Sequence, residues 1–86
     1  MIVITETSKY EIDPLNLTFV RHPGEGAGGF PGREDIVSVT DMSDLGYDRA
    51  AVELREFRQP LVGEHMFLSL ANGDVIRTTK VREIQP

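Results

Sequence analysis

The sequence predicts a mainly β protein: one small domain built as a bent sheet or SH3-like barrel of four to six short strands, with one short helix. Three observations predict it. The apolar residues alternate with polar ones over short runs, as in Tyr10–Ile12, Leu17–Phe19 and Met66–Leu68–Leu70. Turn chemistry separates those runs, with Asp13-Pro14-Leu15-Asn16 in the first third of the chain and Asn72-Gly73 in the last. The chain has only 86 residues, enough for one domain with a thin core. The alternative architecture is α+β, an antiparallel sheet with one packed helix.

Each element has its own signal. MIVITET is short and β-branched, a first strand. YEIDPLNLTFV reads as a hairpin: Asp13 and Pro14 occupy the first two positions of a type I turn, and the flanking residues alternate. DIVSV is another short strand. The segment 47–57 fits two periods. As a helix it aligns Tyr47, Ala50, Ala51, Leu54 and Phe57 on one face, with Asp48 near its start and Pro60 beyond its end. As a strand it alternates Val52 and Leu54 with Glu53 and Arg55. The helix is the preferred reading and supplies the cover for one face of the sheet. The last hairpin is predicted to turn at Asn72-Gly73 as a two-residue type I′ turn, both residues at positive φ. That register pairs Leu70 with Val75 and sends Phe67 and Ile76 to the face opposite Leu68. Beyond Thr79 the alternation slips, since Val81 and Ile84 cannot share a face of an unbroken strand. A kink there permits a last short strand over Arg82–Ile84.

Residues 21–35, RHPGEGAGGFPGRED, form a Gly/Pro loop inside the domain, holding five of the eight glycines. Gly24, Gly26 and Gly29 match G-x-G-x-x-G. A dinucleotide cradle needs a helix opening at the last glycine, and Phe30-Pro31-Gly32 starts none. Glu25 also sets a negative charge where a pyrophosphate would lie. The loop is read as a flexible surface connection in which Phe30 can anchor a partner.

Other chemistry is sparse. Cysteine is absent, which removes disulfides, thiolate zinc sites and cysteine nucleophiles. His22 and His65 are the only histidines and have no metal-ligand spacing. Asp41, Asp44 and Asp48 miss the calcium-loop pattern. No serine stands in a nucleophile elbow. No catalytic, cofactor-binding or metal residues are therefore assigned, no cofactor is expected, and the reading is non-enzymatic. The net charge of -5 and the dispersed arginines argue against nucleic acid as the partner. No apolar run approaches the roughly 20 residues of a membrane span. With no signal sequence and no cysteine, a cytoplasmic, membrane-free setting is the expectation. Seven arginines against two lysines fit a G+C-rich genome. The layout of SKYEID, VGEHMFLSL and GDVIRTTKV is similar to that of short reading frames of G+C-rich bacteria and their phages, a likeness that carries no activity.

By elimination, the expected function is a small protein-interaction module: an adaptor, accessory or inhibitor protein that binds a protein partner or a second copy of itself. The candidate contact residues are Phe30 and Arg33 in the loop, and Phe67 and Ile76 on the outer face of the last hairpin. The competing reading is a small anionic-ligand-binding protein or enzyme subunit, with Arg21, His22 and Arg33 around the glycine loop.

Overall fold

The computed structural model describes residues 1–29, the backbone of 36–38, and residues 49–86. Seven strands follow in chain order: β1 Ile2–Thr5, β2 Ser8–Asp13, β3 Thr18–Pro23, β4 Ile36–Ser38, β5 Ala51–Glu53, β6 His65–Ser69 and β7 Val75–Gln85. They form one curled antiparallel sheet, a half-barrel, in the order β4-β7-β1-β2-β3-β5, with β6 also paired to β7. A single bridge, Leu54 to Leu70, ties the β5 end back to the β6–β7 hairpin. Backbone bonds from Arg55 N to Ser69 O (2.7 Å) and Ala71 N to Glu53 O (3.0 Å) flank it. The sheet thus curls over one core of Val3, Tyr10, Ile12, Phe19, Leu54, Met66, Leu68, Leu70, Ile76 and Val81. The predicted β class stands.

The first hairpin forms as its turn chemistry dictates. Asp13 Oδ1 accepts the backbone N–H of Leu15 (3.0 Å) and of Asn16 (3.1 Å). Leu17 takes φ +53° and returns the chain so that Asp13 pairs with Thr18. The inward alternation is Tyr10, Ile12 and Phe19, with the rings of Tyr10 and Phe19 tilted against each other at 6.2 Å.

Two expectations are corrected. The first is the helix over 47–57: Ala51–Glu53 is a strand, Val52 pairs with Phe19, and no helix occurs among the described residues. Tyr47 and Asp48 lie outside them. Both periods place Leu54 inward. The strand wins because it satisfies the open edge of β3 and lets Leu54, 5% exposed, reach Leu70. The second is the turn at Asn72-Gly73. Only Gly73 has positive φ (+98°); Asn72 does not. Gly73 N donates to Leu70 O (3.0 Å) and Leu70 N to Asp74 O (2.8 Å), a three-residue loop of a type I turn followed by a left-handed glycine. Asn72 Oδ1 accepts the N–H of Asp74 at 2.9 Å. The longer loop moves the register by one residue: Leu68 pairs with Ile76 and Phe67 with Arg77.

The phase slip near Thr79 is real, and its cause is a bulge. His65 pairs with Lys80 while Phe67 pairs with Arg77, so β7 carries one residue more than β6. At the bulge the N–H of Met66 donates to Thr78 Oγ1 (3.0 Å) instead of a carbonyl. A second irregularity lies where β7 meets β1, between Ile4–Glu83 and Thr5–Val81. Together they return Val81 to the core and leave Ile84 packed at its margin.

Candidate functional site on the outer face of β6 and β7

The register of the last hairpin sorts its side chains. Met66, Leu68 and Ile76 point inward and are buried; Phe67 and Arg77, a directly opposed pair, point outward. Phe67 is 54% exposed. One step along, past the bulge, His65 and Lys80 form the next pair, and both are exposed. The His65 ring stays close to the strand, since Nδ1–H donates to Thr78 O at 2.7 Å. The result is a short strip with an exposed aromatic ring, an arginine, a lysine and an imidazole. Leu61 and Val62, 64% and 61% exposed, lie in the stretch leading into β6.

The charge on this strip is distinctive within an acidic chain. Four basic side chains hold carboxylates: Lys9 with Glu25 (3.3 Å), Arg49 with Glu25 (3.2 Å), Arg58 with Glu56 (3.3 Å) and Arg82 with Glu6 (2.6 Å). Arg77 and Lys80, like Arg55 on the other side of the turn, pair with none at contact distance among the described residues. The carboxylate beside the strip, Glu6, accepts the backbone N–H of Lys80 (3.3 Å) and pairs with Arg82. The Lys80 N–H first, and the Arg82 guanidinium next, hold the Glu6 carboxyl below its usual range.

The glycine segment has a different character. Arg21–Pro23 belong to β3. Beyond them Gly24 N donates to Thr7 O (2.9 Å), Ala27 N to Thr5 O (2.8 Å), and Gly28 N to Glu6 O. Gly26 sits so close to this β1–β2 turn that a Cβ would lie 2.5 Å from Thr5 O and collide with Ser8 N. Residues 24–29 therefore pack as a strap on the turn, and Gly26 serves close approach. Residues 30–35, with Phe30 and Arg33, lie outside the described residues, as do Asp41 and Asp44.

Of the residues proposed to surround an anion, Arg21 and His22 already have partners within the sheet, and Arg33 lies outside the described residues. Arg21 is buried, 2% exposed, and its Nε donates to Tyr10 Oη at 3.3 Å. His22 sits between two carboxylates, with Nε2 2.5 Å from Glu11 and Nδ1 3.7 Å from Glu25. Lys9 most strongly, then Arg49, keeps the Glu25 carboxyl below its ordinary value. This is a closed network of exposed ion pairs tying β2, β3 and the glycine strap. Among the described residues no three His, Asp or Glu side chains converge as metal ligands. Two open surface grooves of about 290 and 310 Å³ lie among the described residues. One runs between β5 and the 70–72 turn with Glu53 as its single ionisable side chain.

Of the four candidate contact residues, Phe67 is on the surface and Ile76 is not. Ile76 is 1% exposed and belongs to the core, a consequence of the three-residue turn. The strip's basic members, Arg77 and Lys80, were missed by sequence reasoning. Their signal was available in the spacing from Phe67 across the turn, but only in the correct register. No described helix is long and apolar enough to cross a membrane. Compared with protein families, with curated proteins and with solved structures, the chain matches none.

Proposed function

We propose that this protein is a small non-enzymatic interaction module, an adaptor, accessory or inhibitor protein, and that it contacts its protein partner through the outer face of β6 and β7. The observation that carries the reading is Phe67. A phenylalanine 54% exposed on a regular strand leaves apolar area in water that the same chain buries elsewhere. Aromatic side chains with an arginine beside them are the residue types that dominate binding energy at protein interfaces. The rigid sheet behind Phe67 presents it at little entropic cost, because Leu68 and Met66 on either side are locked in the core.

The test is capture from a lysate of the source organism with the immobilised protein, wild type against Phe67→Asp. The reading expects at least one specific partner retained by the wild type and lost by the variant, with an unchanged melting temperature. Identical captures from both proteins contradict it. Light scattering at high concentration separates the self-association form of the module from the foreign-partner form.

A further inference from the structure

We infer that the outer face of β6 and β7 takes a short acidic peptide segment, with an apolar side chain of that segment on Phe67 and its carboxylates on Arg77 and Lys80. The inference rests on the interaction-module reading and names the chemistry of the partner. Charge complementarity decides it. In a chain of net charge -5, the basic side chains at Lys9, Arg49, Arg58 and Arg82 are neutralised within the molecule. Arg77 and Lys80 hold no carboxylate among the described residues, and they flank the exposed aromatic ring, with Arg77 directly across from it. The nearby Glu6 pairs with Arg82 at 2.6 Å and attracts Lys80 without reaching its ammonium at contact distance. Among the described residues the strip is therefore a positive patch that no carboxylate contacts directly, with an apolar centre.

The size of the strip sets the kind of anion. Two strand pairs, Phe67–Arg77 and His65–Lys80, offer two full positive charges. The chain as a whole carries a net charge of -5, so a polyanion reaching beyond about one Debye length, roughly 8–10 Å, from the strip meets net repulsion. A peptide with two or three carboxylates ends within the strip; a nucleic-acid strand does not. Extended peptides place alternate side chains on one side about 6.8 Å apart, so carboxylates can flank an apolar residue as the strip requires.

The experiment uses two synthetic heptapeptides, Ser-Glu-Ser-Leu-Ser-Glu-Ser (the Glu-Leu peptide), which sets Glu, Leu and Glu on one side of an extended chain, and its Lys-for-Glu counterpart (the Lys-Leu peptide), with octathymidylate as a third probe. Binding to the full chain is measured by isothermal titration at low and at physiological salt. The Glu-Leu peptide is expected to bind, to weaken with added salt, and to lose about ten-fold in affinity on the double change Arg77→Glu, Lys80→Glu. The milder pair Arg77→Gln, Lys80→Gln is expected to lose a smaller factor, and provides the measurement if the reversal disturbs folding. Phe67→Ser lowers affinity without changing the salt dependence, and Arg58→Glu changes neither. Equal binding of the Glu-Leu and Lys-Leu peptides overturns the inference, as does Glu-Leu binding untouched by either double change. Tighter binding of octathymidylate overturns it in favour of single-stranded nucleic acid. A dimer that dissolves on Phe67→Asp overturns it in favour of a second copy of the chain. If the peptides fail while Phe67→Asp still abolishes lysate capture, the acidic-peptide inference falls alone. If Phe67→Asp leaves capture unchanged, the module reading falls first.

Discussion

Phe67 and Ile76 differ by one residue of register, and the difference separates a surface group from a core group. Ile76 is buried at 1% exposure beside Leu68, so Ile76→Ala is expected to lower stability by about 2–5 kcal/mol in urea denaturation. Phe67→Asp is expected to change it by no more than about 0.5 kcal/mol, as for other exposed sites. A large loss for Phe67→Asp would mean that the ring is structural. The glycines divide in the same way. Gly26→Ala forces a methyl group into the backbone of Thr5 and Ser8 and should cost about 1–3 kcal/mol or more. Gly29 has positive φ, unlike Gly26, and a Cβ there meets nothing within 4 Å, so Gly29→Ala costs about 1 kcal/mol of backbone strain alone. Comparable losses at the two positions would contradict the packed strap. The composition of the glycine run marks it as a loop without telling flexibility from close approach. Both uses favour glycine, and only the partner surface, here the β1–β2 turn, decides between them.

At the scale of elements, the β7 bulge is the feature that shapes the sheet. It allows Ile76, Thr78 and Val81 to face the same core although their spacing is two and then three. Thr78 Oγ1 accepts the Met66 N–H and donates to Thr79 O at 2.6 Å. Thr78→Val keeps the volume and leaves that buried N–H without an acceptor. The expected cost is about 1–3 kcal/mol, while Thr78→Ser, which keeps the hydroxyl, loses less. Equal losses would show that the methyl group matters and the hydrogen bond does not. The bulge was legible as a break in alternation after Thr79, because Val81 and Ile84 fit no single face. The turn was legible in place but not in type. Asn-Gly suits a two-residue type I′ turn and equally a type I turn with a left-handed glycine, since both put Gly at positive φ. They differ by one residue of register, and that residue moved Ile76 inward and hid Arg77 from view as the neighbour of Phe67. The segment 51–54 was misread for a related reason. Helical and extended periods both bury Leu54, and tertiary pairing with Phe19 and Leu70 selects the strand.

Across the whole molecule, the acidic surface is organised by ion pairs that fasten connections to the sheet. Glu6, Asp13 and Glu25 all have carboxyl groups held below their usual values. The causes are, first in each case, the Lys80 N–H, the Asn16 N–H and the Lys9 ammonium. A carboxylate whose folded value is depressed adds stability that is complete above its unfolded value and disappears as pH falls through the folded one. The urea midpoint is therefore expected to hold from neutral pH to about pH 5 and to fall below about pH 4, with Glu25→Gln reducing the slope of the fall. A midpoint rising toward acid would contradict this sign. Since none of the three groups is buried, added salt should weaken the effect.

For the whole molecule, the proposed seat of binding is the outer face of β6 and β7 and not the glycine segment. The most direct measurement is an amide chemical-shift titration of the isotope-labelled chain with the Ser-Glu-Ser-Leu-Ser-Glu-Ser peptide. The account predicts a contiguous set of shifts at His65, Phe67, Arg77 and Lys80, with Gly24, Gly26 and Gly29 unmoved. Shifts concentrated at Arg21, His22 and the glycines, with the β6–β7 amides silent, would contradict it.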